Sequence, residues 1–549
     1  MRSRLVPLAF ALIACESRKP SPPRAPVARD ASVARPAPPP DACTGVANTL
    51  GVRMPPGFCI RAIATGLLKP RQMTIGADGE ILVAESGPGW RRGRGRVSVL
   101  RLSPDGTFTR ETLIDRLDRP HGIALRDGYV WVAEAGRIAR VRYPASDAGA
   151  AETVIGGLPD TGRHPHKTLA FGPDGDLYFS VGSATDNCQL PNRRDAEDPC
   201  VERGADPLDA SRGVVRAWNP RTRRVRVFAT GLRNNLGLAW HPASGKLFGV
   251  ENGRDYIDRA VPALSDAALP HDELNELVAG GEYGWPYCYD RNEVSPEYRN
   301  HPGGCRGQRE PAMNLHAHAA PISILFYHGA LFPPEYRHRA FITYHGYRAT
   351  GHRVVSVTFR DDGTISSDTE DFIWSWEERP GRPHGRLLGL AEGKDGSLFL
   401  SDDGNGVIYQ IRYGASALQA PPPPPVAAAP VEDPAVVEAR CAEVARRNDP
   451  LSVMQRTAID TKCVSCHALA AGGLTLRRCD WRATYEAFAH GRSGEHGAYV
   501  VPGRVDQGYL MARIHGDTAG PRMPLQGSEL TRDELGAIEA WVRAGAPSP

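Results

Sequence analysis

A short unit recurs between residues 76 and 403 and constrains the fold more than any other feature of the chain. Each copy is a tight turn, an apolar strand and a small or acidic end. The copies read GADGEILVAES, LRDGYVWVAEA, FGPDGDLYFSVGS, HPASGKLFGVEN and GKDGSLFLSDD. Asp-Gly before alternating apolar residues is a strong hairpin signal. The first three copies lie about fifty residues apart, which is the period of a propeller blade.

The later copies are more widely spaced, which leaves room for inserted loops and for a sixth unit around RAFITYHGYRATGHRVVSVTF. We therefore predict an all-β, six-bladed β-propeller over residues 42–414, with its strand-poor insertions gathered at one mouth of the central channel. A β-sandwich with chance turn similarity is the alternative, and it does not explain a recurring unit.

The last fifth of the chain carries a different signal. Cys463, Cys466 and His467 form Cys-x-x-Cys-His, the attachment motif of a c-type haem, in which both thiols bond to the haem and the histidine ligates the iron. Met523, in GPRMPLQG, is the expected second ligand. Met511 competes with it, but YLMARIHG predicts an amphipathic helix in which this methionine lies in the core. A zinc or dithiol site is the alternative interpretation of the two cysteines.

Residues 437–549 resemble the single-haem c-type cytochrome domains of bacteria. The resemblance rests on CVSCHA, GGLTL, RMP and LTRDELGAIEAWVRAGA, in that order. The last segment predicts a helix with Thr531 as N-cap and Glu534 in the capping-box position. The resemblance implies a small all-α domain that binds one covalent haem c and carries electrons.

Haem of this kind is attached outside the cytoplasm, and the N-terminus fits export. A basic MRSR and the apolar LVPLAFALIA precede Cys15, so residues 1–15 predict a lipoprotein signal peptide with a lipobox cysteine. The apolar run is about half the length of a membrane-spanning helix, the alternative. We expect a chain in the periplasm, lipid-anchored to the cell envelope through Cys15. Residues 16–41 predict a disordered spacer and residues 415–436 a proline-rich linker.

The cysteine count is consistent with an oxidising compartment. Of eleven cysteines, one is assigned to lipid and two to haem, which leaves an even number for disulfides. Pairing near neighbours is the simplest choice. It predicts the bridges Cys43–Cys59, Cys188–Cys200, Cys288–Cys305 and Cys441–Cys479.

The near balance of charged residues gives no sign of a nucleic-acid partner or an acidic substrate. The formal net charge is +3 over 549 residues, which implies neither nucleic-acid binding nor an acidic substrate. The basic cluster WRRGRGR is compatible with either, but its interleaved glycines indicate a solvated loop.

Five longer stretches carry a second resemblance. They read HPHKTLAFGPDGDLYFSVGS, FATGLRNNLGLAWHPASGKLFGVENGRD, DELNELVAGGEYGWPYC, AHAAPISILFYHG and GRLLGLAEGKDGSLFLSDDGNGVIYQI. Together they resemble the glucose/sorbosone dehydrogenase family, and the sorbosone branch more closely, over most of residues 50–413. The family implies a six-bladed propeller that uses pyrroloquinoline quinone (PQQ), with hydride transfer from a hydroxyl-bearing carbon to the quinone.

The resemblance implies a catalytic base at His164. Histidine suits this role because its pKa lies near working pH. His166 is the alternative, two residues on and therefore on the same side of an extended strand; both could also merely line a turn. In the glucose branch an aspartate precedes the base, whereas this chain has Arg163, so that branch's substrate pocket is not carried over.

Arg233 is implied as a second catalytic residue, and Asn234 and Arg386 as cofactor ligands. Arg233 and Asn234 match the family's Arg-Asn pair, and a guanidinium can stabilise negative charge on the quinone oxygen. A surface salt bridge is the alternative for Arg233. Arg386 occupies the position from which the family binds a PQQ carboxylate, with Arg382 as a nearby alternative.

The resemblance also implies calcium, which takes oxygen ligands. The family holds the PQQ-bound ion through two consecutive backbone carbonyls, here those of Gly253 and Arg254, although the family has Gly-Pro where this chain has Gly-Arg. Glu273 and Tyr283 match a second, structural calcium site of the glucose branch.

Together these features predict a membrane-tethered, PQQ-dependent dehydrogenase that oxidises a sugar, an aldose or a related hydroxyl or aldehyde substrate. We expect it to pass electrons to its own haem, kept close by the linker, and then to an external acceptor such as a cytochrome or a quinone-linked oxidase. The alternatives are a non-catalytic sugar- or protein-binding propeller with a redox domain, and a calcium-dependent propeller lactonase. A binding module needs no base, and hydrolysis gives the haem no electrons to accept.

Overall fold

In the described part of the chain, the computed structural model places six sheets in a ring, with the first strand of each sheet on the inside. Each inner strand contacts the inner strand of the next sheet, and the sixth contacts the first. This closed ring confirms the predicted six-bladed β-propeller. The inner strands of blades 1 to 6 are Pro70–Ile75, Ile123–Arg126, Leu169–Phe171, Asn235–Trp240, Pro321–Phe326 and Leu387–Glu392.

The structure describes residues 43, 50, 52–103, 107–144, 150–189, 196–203, 212–261, 263–346, 348, 350–376, 385–414, 434–467, 474, 476–493, 497–515, 523–524 and 530–548. The predicted signal peptide with Cys15, the spacer and residues 415–433 of the predicted linker lie outside these residues.

Each blade continues outward by antiparallel pairing. The outer strands are Ile81–Glu85, Gly95–Leu102 and Phe108–Leu117 in blade 1; Tyr129–Ala133, Ile138–Arg142 and Glu152–Ile155 in blade 2; Leu177–Val181, Val214–Trp218 and Val225–Thr230 in blade 3; Leu247–Glu251, His271–Leu277 and Met313–Ala317 in blade 4; Ala340–Tyr344, Arg353–Val357 and Glu370–Ile373 in blade 5; and Leu398–Asp402, Val407–Tyr413 and Phe58–Ala64 in blade 6. Gly281–Glu282 adds a parallel strand to the edge of blade 3.

The ring is closed by the start of the chain. Phe58–Ala64 pairs antiparallel with Val407–Tyr413, so blade 6 combines strands from both ends of the propeller. Pairing of this kind removes an open sheet edge and ties the first blade to the last.

The recurring sequence unit forms the second strand of a blade. Ile81–Glu85, Leu177–Val181 and Leu398–Asp402 are buried along their whole length because a neighbouring blade covers each face. The turn before such a strand needs a glycine for its conformation rather than for space. Gly79 has φ 87°, and a Cβ there would meet nothing within 4 Å. The predicted sixth unit is blade 5.

Insertions between strands form short elements and carry disulfides. The described short helices are Pro88–Trp90, Val201–Arg203, Ile257–Arg259, Pro296–Tyr298 and Pro334–Tyr336, and Cys288–Tyr289 pairs with Glu293–Val294.

The four predicted bridges are confirmed: Cys43–Cys59, Cys188–Cys200, Cys288–Cys305 and Cys441–Cys479.

The C-terminal part of the chain is mainly helical. Its helices are Pro434–Arg446, Pro450–Met454, Val464–His467, Trp481–Tyr485, Tyr509–His515 and Arg532–Arg543, with π-helical segments Gln455–Cys463 and Glu486–His490 and a short hairpin, Arg492–Ser493 with Gly497–Ala498. The first helix begins three residues before the predicted domain boundary. The last helix has the predicted capping box between Thr531 and Glu534.

The helices share one apolar core. Met454, Ile459 and Trp541 are fully buried in it. Among the described helices, none has both the length and the apolar character needed to cross a bilayer. The all-α prediction holds apart from the short hairpin, while the identity of this unit as a cytochrome c domain stays a prediction.

Candidate functional site

Polar side chains gather where the inner strands begin. Arg71, His121, His166, Arg233 and Arg386 lie within, or up to three residues before, an inner strand of five different blades. Because the ring brings the starts of these strands together, side chains that are distant in sequence meet at this end of the channel. They form two groups, one around His164 and Arg233 and one around Asp403.

The hydrogen bonds of His164 define its tautomer. Its Nδ1 lies 3.1 Å from the Ser183 carbonyl oxygen and 2.9 Å from Ser183 Oγ. Ser183 Oγ donates its own hydrogen to the Thr185 carbonyl at 2.7 Å, so both neighbours of Nδ1 act as acceptors. Nδ1 therefore carries the hydrogen, and Nε2 carries the lone pair.

His164 is also held in its neutral form. Burial, Arg233 and Arg163 together place the pKa of His164 well below its ordinary value, although Asp255 opposes the shift. An imidazole that is neutral at neutral pH, with the lone pair on one defined nitrogen, is the form that a general base requires.

A glycine lets His164 and Asn234 approach each other. A Cβ on Gly182 would lie 2.6 Å from His164 Cβ and 3.1 Å from Asn234 Oδ1. Asn234 Nδ2 donates to Asn252 Oδ1 at 2.8 Å, which orients the amide. Gly182 is therefore required by the close packing of two predicted site residues.

Arg233 is buried, with 4% of its side chain exposed, and it is firmly held. Its Nε donates to the Asp186 carbonyl at 2.9 Å, Nη1 donates to the Asn252 carbonyl at 3.0 Å, and Nη2 donates to Asp186 Oδ1 at 2.5 Å. These contacts exclude the alternative of a surface salt bridge. They fix the plane of the guanidinium in advance of any ligand.

The carboxylate beside His164 comes from another loop. Arg163, at the position of the glucose-branch aspartate, pairs with Asp255 at 2.5 Å, and Asp255 lies 3.6 Å from Arg233 Nη2. Burial opposes ionisation, but Arg163, His318 and Arg233 hold the pKa of Asp255 well below its usual range. The carboxylate next to His164 is therefore that of Asp255, since residue 163 is an arginine in this chain.

The second group centres on Asp403, which is buried. It pairs with Arg71, with His345 Nε2 at 3.0 Å and with Arg386 Nε at 3.6 Å. Despite burial, His345, Arg386 and Arg71 hold the pKa of Asp403 well below its usual range. Arg386 Nη2 also lies 3.3 Å from His345 Nδ1. Arg382 lies outside the described residues.

His121 offers a hydrogen-bond donor to this group. Arg71 Nε donates to His121 Nδ1 at 3.0 Å, so the imidazole hydrogen is on Nε2. His121 Nε2 is buried and has no partner among the described residues. The His166 ring lies 5.4 Å from the His121 ring, which places His166 with this second group rather than with Arg233.

The second group carries an excess of positive charge. Lys69 lies near Asp403, but burial, Arg386 and Arg71 lower the pKa of Lys69 despite that carboxylate. Buried cations that repel each other in this way favour an anionic ligand.

Glu251, which is buried, and Glu273, which is half-buried, line a small cavity of about 20 Å³ next to Arg233, close to the size that holds one water molecule or ion. Burial and the neighbouring Glu273 raise the pKa of Glu251 well above its usual value, and burial raises that of Glu273 to about 8. Glu251 Oε2 has no partner in the described part of the chain. No larger cluster of His, Cys, Asp or Glu that could hold a metal ion occurs among the described residues.

The other predicted calcium ligands lie around this cavity. Gly253 donates its N–H to Asp272 Oδ1 at 2.7 Å, and the Arg254 side chain pairs with Glu297 at 2.5 Å. The Tyr283 hydroxyl donates to the Glu276 carbonyl at 2.5 Å and accepts from Val278 N at 3.0 Å, so its hydroxyl has a structural role.

The predicted haem residues lie in the helical unit. His467 Nδ1 lies 3.2 Å from the Leu474 carbonyl, which makes Nδ1 the donor and orients the ring. Cys463 and Met523 both pack against the apolar core of this unit, and Met511 is buried within it, as predicted. The side chain of Cys466 lies outside the description.

Sequence reasoning missed Arg71, His121, Asp403 and His345 in the second group, and Asp186 and Asp255 in the first. A positional signal existed for two of them. Arg71 and His121 lie at the start of an inner strand, as His166 and Arg233 do. The carboxylates have no comparable local signal.

The fold and the two groups define a six-bladed propeller whose channel end is lined by charged side chains and by histidines whose pKa values are lowered. A family model described as Glucose / Sorbosone dehydrogenase matches residues 132–410, just over half of the chain. The chain belongs to the glucose/sorbosone dehydrogenase family.

Individual relatives are distant. A pyrroloquinoline quinone-dependent sugar dehydrogenase of Hypocrea jecorina is 25% identical over 416 residues, covering 65% of this chain and 89% of the relative. The iodide structure of a Trichoderma reesei protein of carbohydrate-active enzymes family AA12 has TM-score 0.53 at 22% identity, covering 66% of this chain and 98% of that one. The holo PQQ domain of a Coprinopsis cinerea pyranose dehydrogenase has TM-score 0.50 at 18% identity, covering 66% and 97%. The two structures support the fold.

Lys167 holds the segment that carries both histidines, and its removal is a test of that role. Its fully buried Nζ donates to the carbonyls of Ala135 at 2.5 Å, Pro159 at 2.7 Å and Pro165 at 2.9 Å. Lys167→Met leaves these carbonyls without a donor, so we expect the free energy of unfolding to fall by about 3 kcal/mol. Denaturant unfolding measures this loss, and hydrogen exchange should accelerate around Pro165.

Lys246→Met is the matched control. Lys246 is partly exposed and pairs with Glu276 at 3.0 Å, so we expect a change of less than about 1 kcal/mol. Equal stability of the two variants would contradict the role assigned to Lys167.

Proposed function

We propose that this protein is a PQQ-dependent dehydrogenase that oxidises a hydroxyl-bearing carbon of a sugar-like substrate. The observation that carries the proposal is His164, a neutral histidine with a defined basic nitrogen, packed between Arg163 and the Arg233–Asn234 pair. Family membership and the names of the relatives, a PQQ-dependent sugar dehydrogenase among them, support the same assignment.

The second group fits the cofactor. PQQ is a polyanion with several carboxylates and quinone oxygens, and Lys69, Arg71 and Arg386 place three basic side chains around Asp403. The unpartnered Nε2–H of His121 is a donor for one of its oxygens. When bound, PQQ supplies an acceptor for the hydride that leaves the substrate carbon.

His164 accepts the hydroxyl proton at Nε2. Its Nδ1–H remains hydrogen-bonded to the Ser183 carbonyl oxygen. This bond keeps the ring in the orientation that presents the lone pair of Nε2. Because the pKa of His164 lies well below its ordinary value, the base is already neutral at neutral pH. Loss of the hydroxyl proton makes the departure of hydride from the same carbon favourable and leaves a carbonyl product.

Arg233 supplies fixed positive charge beside the base. Three of its N–H groups are held by Asp186 and Asn252, so the guanidinium does not reorganise as charge develops. The same charge disfavours protonation of His164 in the resting protein.

His164→Ala tests the base. We expect PQQ binding to be nearly unchanged, because the cofactor contacts are assigned to other side chains. The rate of substrate-driven haem reduction should fall by about a hundred- to ten-thousandfold, the usual contribution of a positioned base. Stopped-flow absorbance measures the rate, and titration with PQQ measures binding.

His166→Ala is the control. Because His166 lies beside His121 in the second group, this variant should weaken PQQ binding more than it slows turnover at saturating cofactor. A normal rate for His164→Ala, or a silent enzyme only for His166→Ala, would contradict the assignment. Haem reduction by dithionite should be unchanged in both variants.

We also propose that the protein binds calcium. The carboxylates of Glu251 and Glu273 fit a cation because both border a cavity of suitable size and because burial raises the pKa of each, so that a bound cation would stabilise the ionised forms. The carbonyls of Gly253 and Arg254 are assigned to the ion that holds PQQ.

The C-terminal unit is proposed to be a cytochrome c domain. The Nδ1 contact of His467 to a backbone carbonyl is the arrangement by which a metal-ligating histidine is oriented. Cys463 and Met523 lie against the same core, so the motif and the second ligand are held by one packed unit. A bound haem would accept electrons one at a time for delivery to an external carrier.

Met523→Ala tests the iron ligands. Loss of a methionine ligand should change the low-spin absorption spectrum and lower the reduction potential, because methionine ligation raises it. Spectroscopy and redox titration of the purified full chain measure both. Met511→Leu is the control and should leave the spectrum unchanged, since Met511 is buried in the core. An unchanged spectrum for Met523→Ala would remove the ligand assignment.

The chain is further proposed to be a lipoprotein of the cell envelope. Cys15→Ser should move the protein from the membrane fraction to the soluble periplasmic fraction, because one lipidated residue is the proposed anchor. Fractionation and intact mass measure the change. Membrane retention with an unaltered mass would show that Cys15 is not the anchor.

A further inference from the structure

In the described part of the chain, the C-terminal helical unit contacts a short insertion of the propeller. The contacts are an ion pair between Asp258 and Arg478 and a hydrogen bond from the Arg259 guanidinium to the Thr461 carbonyl. Asp258 and Arg259 belong to the short helix Ile257–Arg259, which follows the second strand of blade 4. Both parts of the chain lie within one compact unit, Pro40–Pro549.

The ion pair of this contact is largely shielded from water, whereas Arg259 is exposed. The Asp258 side chain is 8% exposed and the Arg478 side chain is 18% exposed. Burial and the neighbouring Asp266 raise the pKa of Asp258 to about 6, while Arg478 opposes the shift. A carboxylate in such a place needs its cation, so loss of Arg478 would leave a buried charge uncompensated.

On the propeller side, the residues of the contact are held in place by further interactions within the propeller. The backbone N–H of Ile257 donates to Asp266 Oδ1 at 3.2 Å, and Asp266 pairs with Arg348 at 2.6 Å. The Arg259 guanidinium lies 3.7 Å above the ring of Tyr256, which directs it outward. Tyr256 itself has φ 62°, an uncommon conformation for a residue other than glycine.

The helical side is equally constrained. Asp460, next to Thr461, accepts a hydrogen bond from Cys479 N at 2.9 Å, and Cys479 is bridged to Cys441. Arg478 immediately precedes this bridge. The segments that meet the propeller are therefore joined by the Asp460–Cys479 hydrogen bond, and the disulfide ties the second of them to the first helix of the unit.

The same insertion reaches the candidate active site. Asp255, which pairs with Arg163 and approaches Arg233, is four residues before Arg259. Four residues of chain span at most about 14 Å. On the other side, Thr461 to His467 is six helical residues, a rise of about 9 Å. One loop thus connects the Arg233 group to the segment that carries the Cys-x-x-Cys-His motif.

We propose that Asp258 and Arg259 form a docking site for the chain's own C-terminal unit, and that docking there holds His467 near the Arg233 group for electron transfer within the molecule. The second half of this proposal rests on the proposed dehydrogenase function, whereas the docking itself does not. The partner is recognised by a cation, Arg478, and by a backbone carbonyl, that of Thr461, presented on one face.

Charge reversal and charge exchange in the full-length protein test the docking. Asp258→Arg and Arg478→Asp each place like charges opposite one another, and the double variant restores an opposite pair. We expect each single variant to increase the radius of gyration measured by small-angle X-ray scattering. Amides around Ile257 should exchange at least about tenfold faster. The double variant should return both measurements toward the wild-type values.

Arg482→Asp is the matched control, because Arg482 is an exposed arginine of the same unit that contacts Glu443 and Trp481 rather than the propeller. It should leave scattering and exchange unchanged. Arg478→Gln provides a milder loss of the pair should a reversal disturb folding, and an intact Cys441–Cys479 bridge, measured by mass, verifies the folded unit. The docking site would be overturned if both single variants kept the wild-type radius of gyration and the wild-type exchange rates. It would also be overturned if the double variant differed from wild type as much as the single variants do.

Substrate-driven haem reduction separates the two halves of the proposal. It should slow at least about tenfold in the single variants and recover in the double variant, while reduction by dithionite stays normal. If the single variants release the C-terminal unit from the propeller but reduce haem at the normal rate, the electron-transfer half of the proposal is overturned. A wild-type protein that oxidises no substrate would instead refute the proposed function, and the scattering and exchange results would still decide the docking.

Discussion

The closure of the ring is the constraint on which the rest of the structure depends. Phe58–Ala64 completes blade 6 by pairing with Val407–Tyr413, and only a closed ring brings the starts of all inner strands to one end of the channel. The polar side chains at that end are buried or half-buried, and the charged ones are paired across blades. Without closure, those charges would lose their partners and the cost of burying them would be unopposed.

The two polar groups differ in their balance of cations and carboxylates, and each balance suits a different chemical role. Around Arg233, the cations Arg163 and Arg233 face the carboxylates of Asp186 and Asp255, so the group is balanced in charge. Burial and the two arginines keep His164 in its neutral form. Around Asp403, cations outnumber the carboxylate, and a donor on His121 is unpartnered in the described part of the chain. A balanced group suits proton transfer, and an electropositive group suits an anionic cofactor.

The sequence was sufficient for the propeller because a turn and a buried strand are local features that recur. It also led to His164, Arg233 and Asn234 through short motifs, and it anticipated all four disulfides from spacing alone. It did not reveal the Arg71–Asp403 pair, whose members are 332 residues apart and meet only when the ring closes. The split between His164 and His166 likewise depends on which blade each ring faces, which strand periodicity does not determine.

The pairing of Arg163 with Asp255 has an evolutionary consequence. Where the glucose branch places an acid immediately before its base, this chain has an arginine and draws the acid from a loop 92 residues further on. An aspartate restored at position 163 alone would place a second carboxylate beside Asp255 in place of its arginine partner, and a neutral residue at 255 would remove the ion-pair partner of Arg163. The two positions are therefore expected to covary among homologues, and a graft of either branch's pocket onto the other must exchange them as a pair.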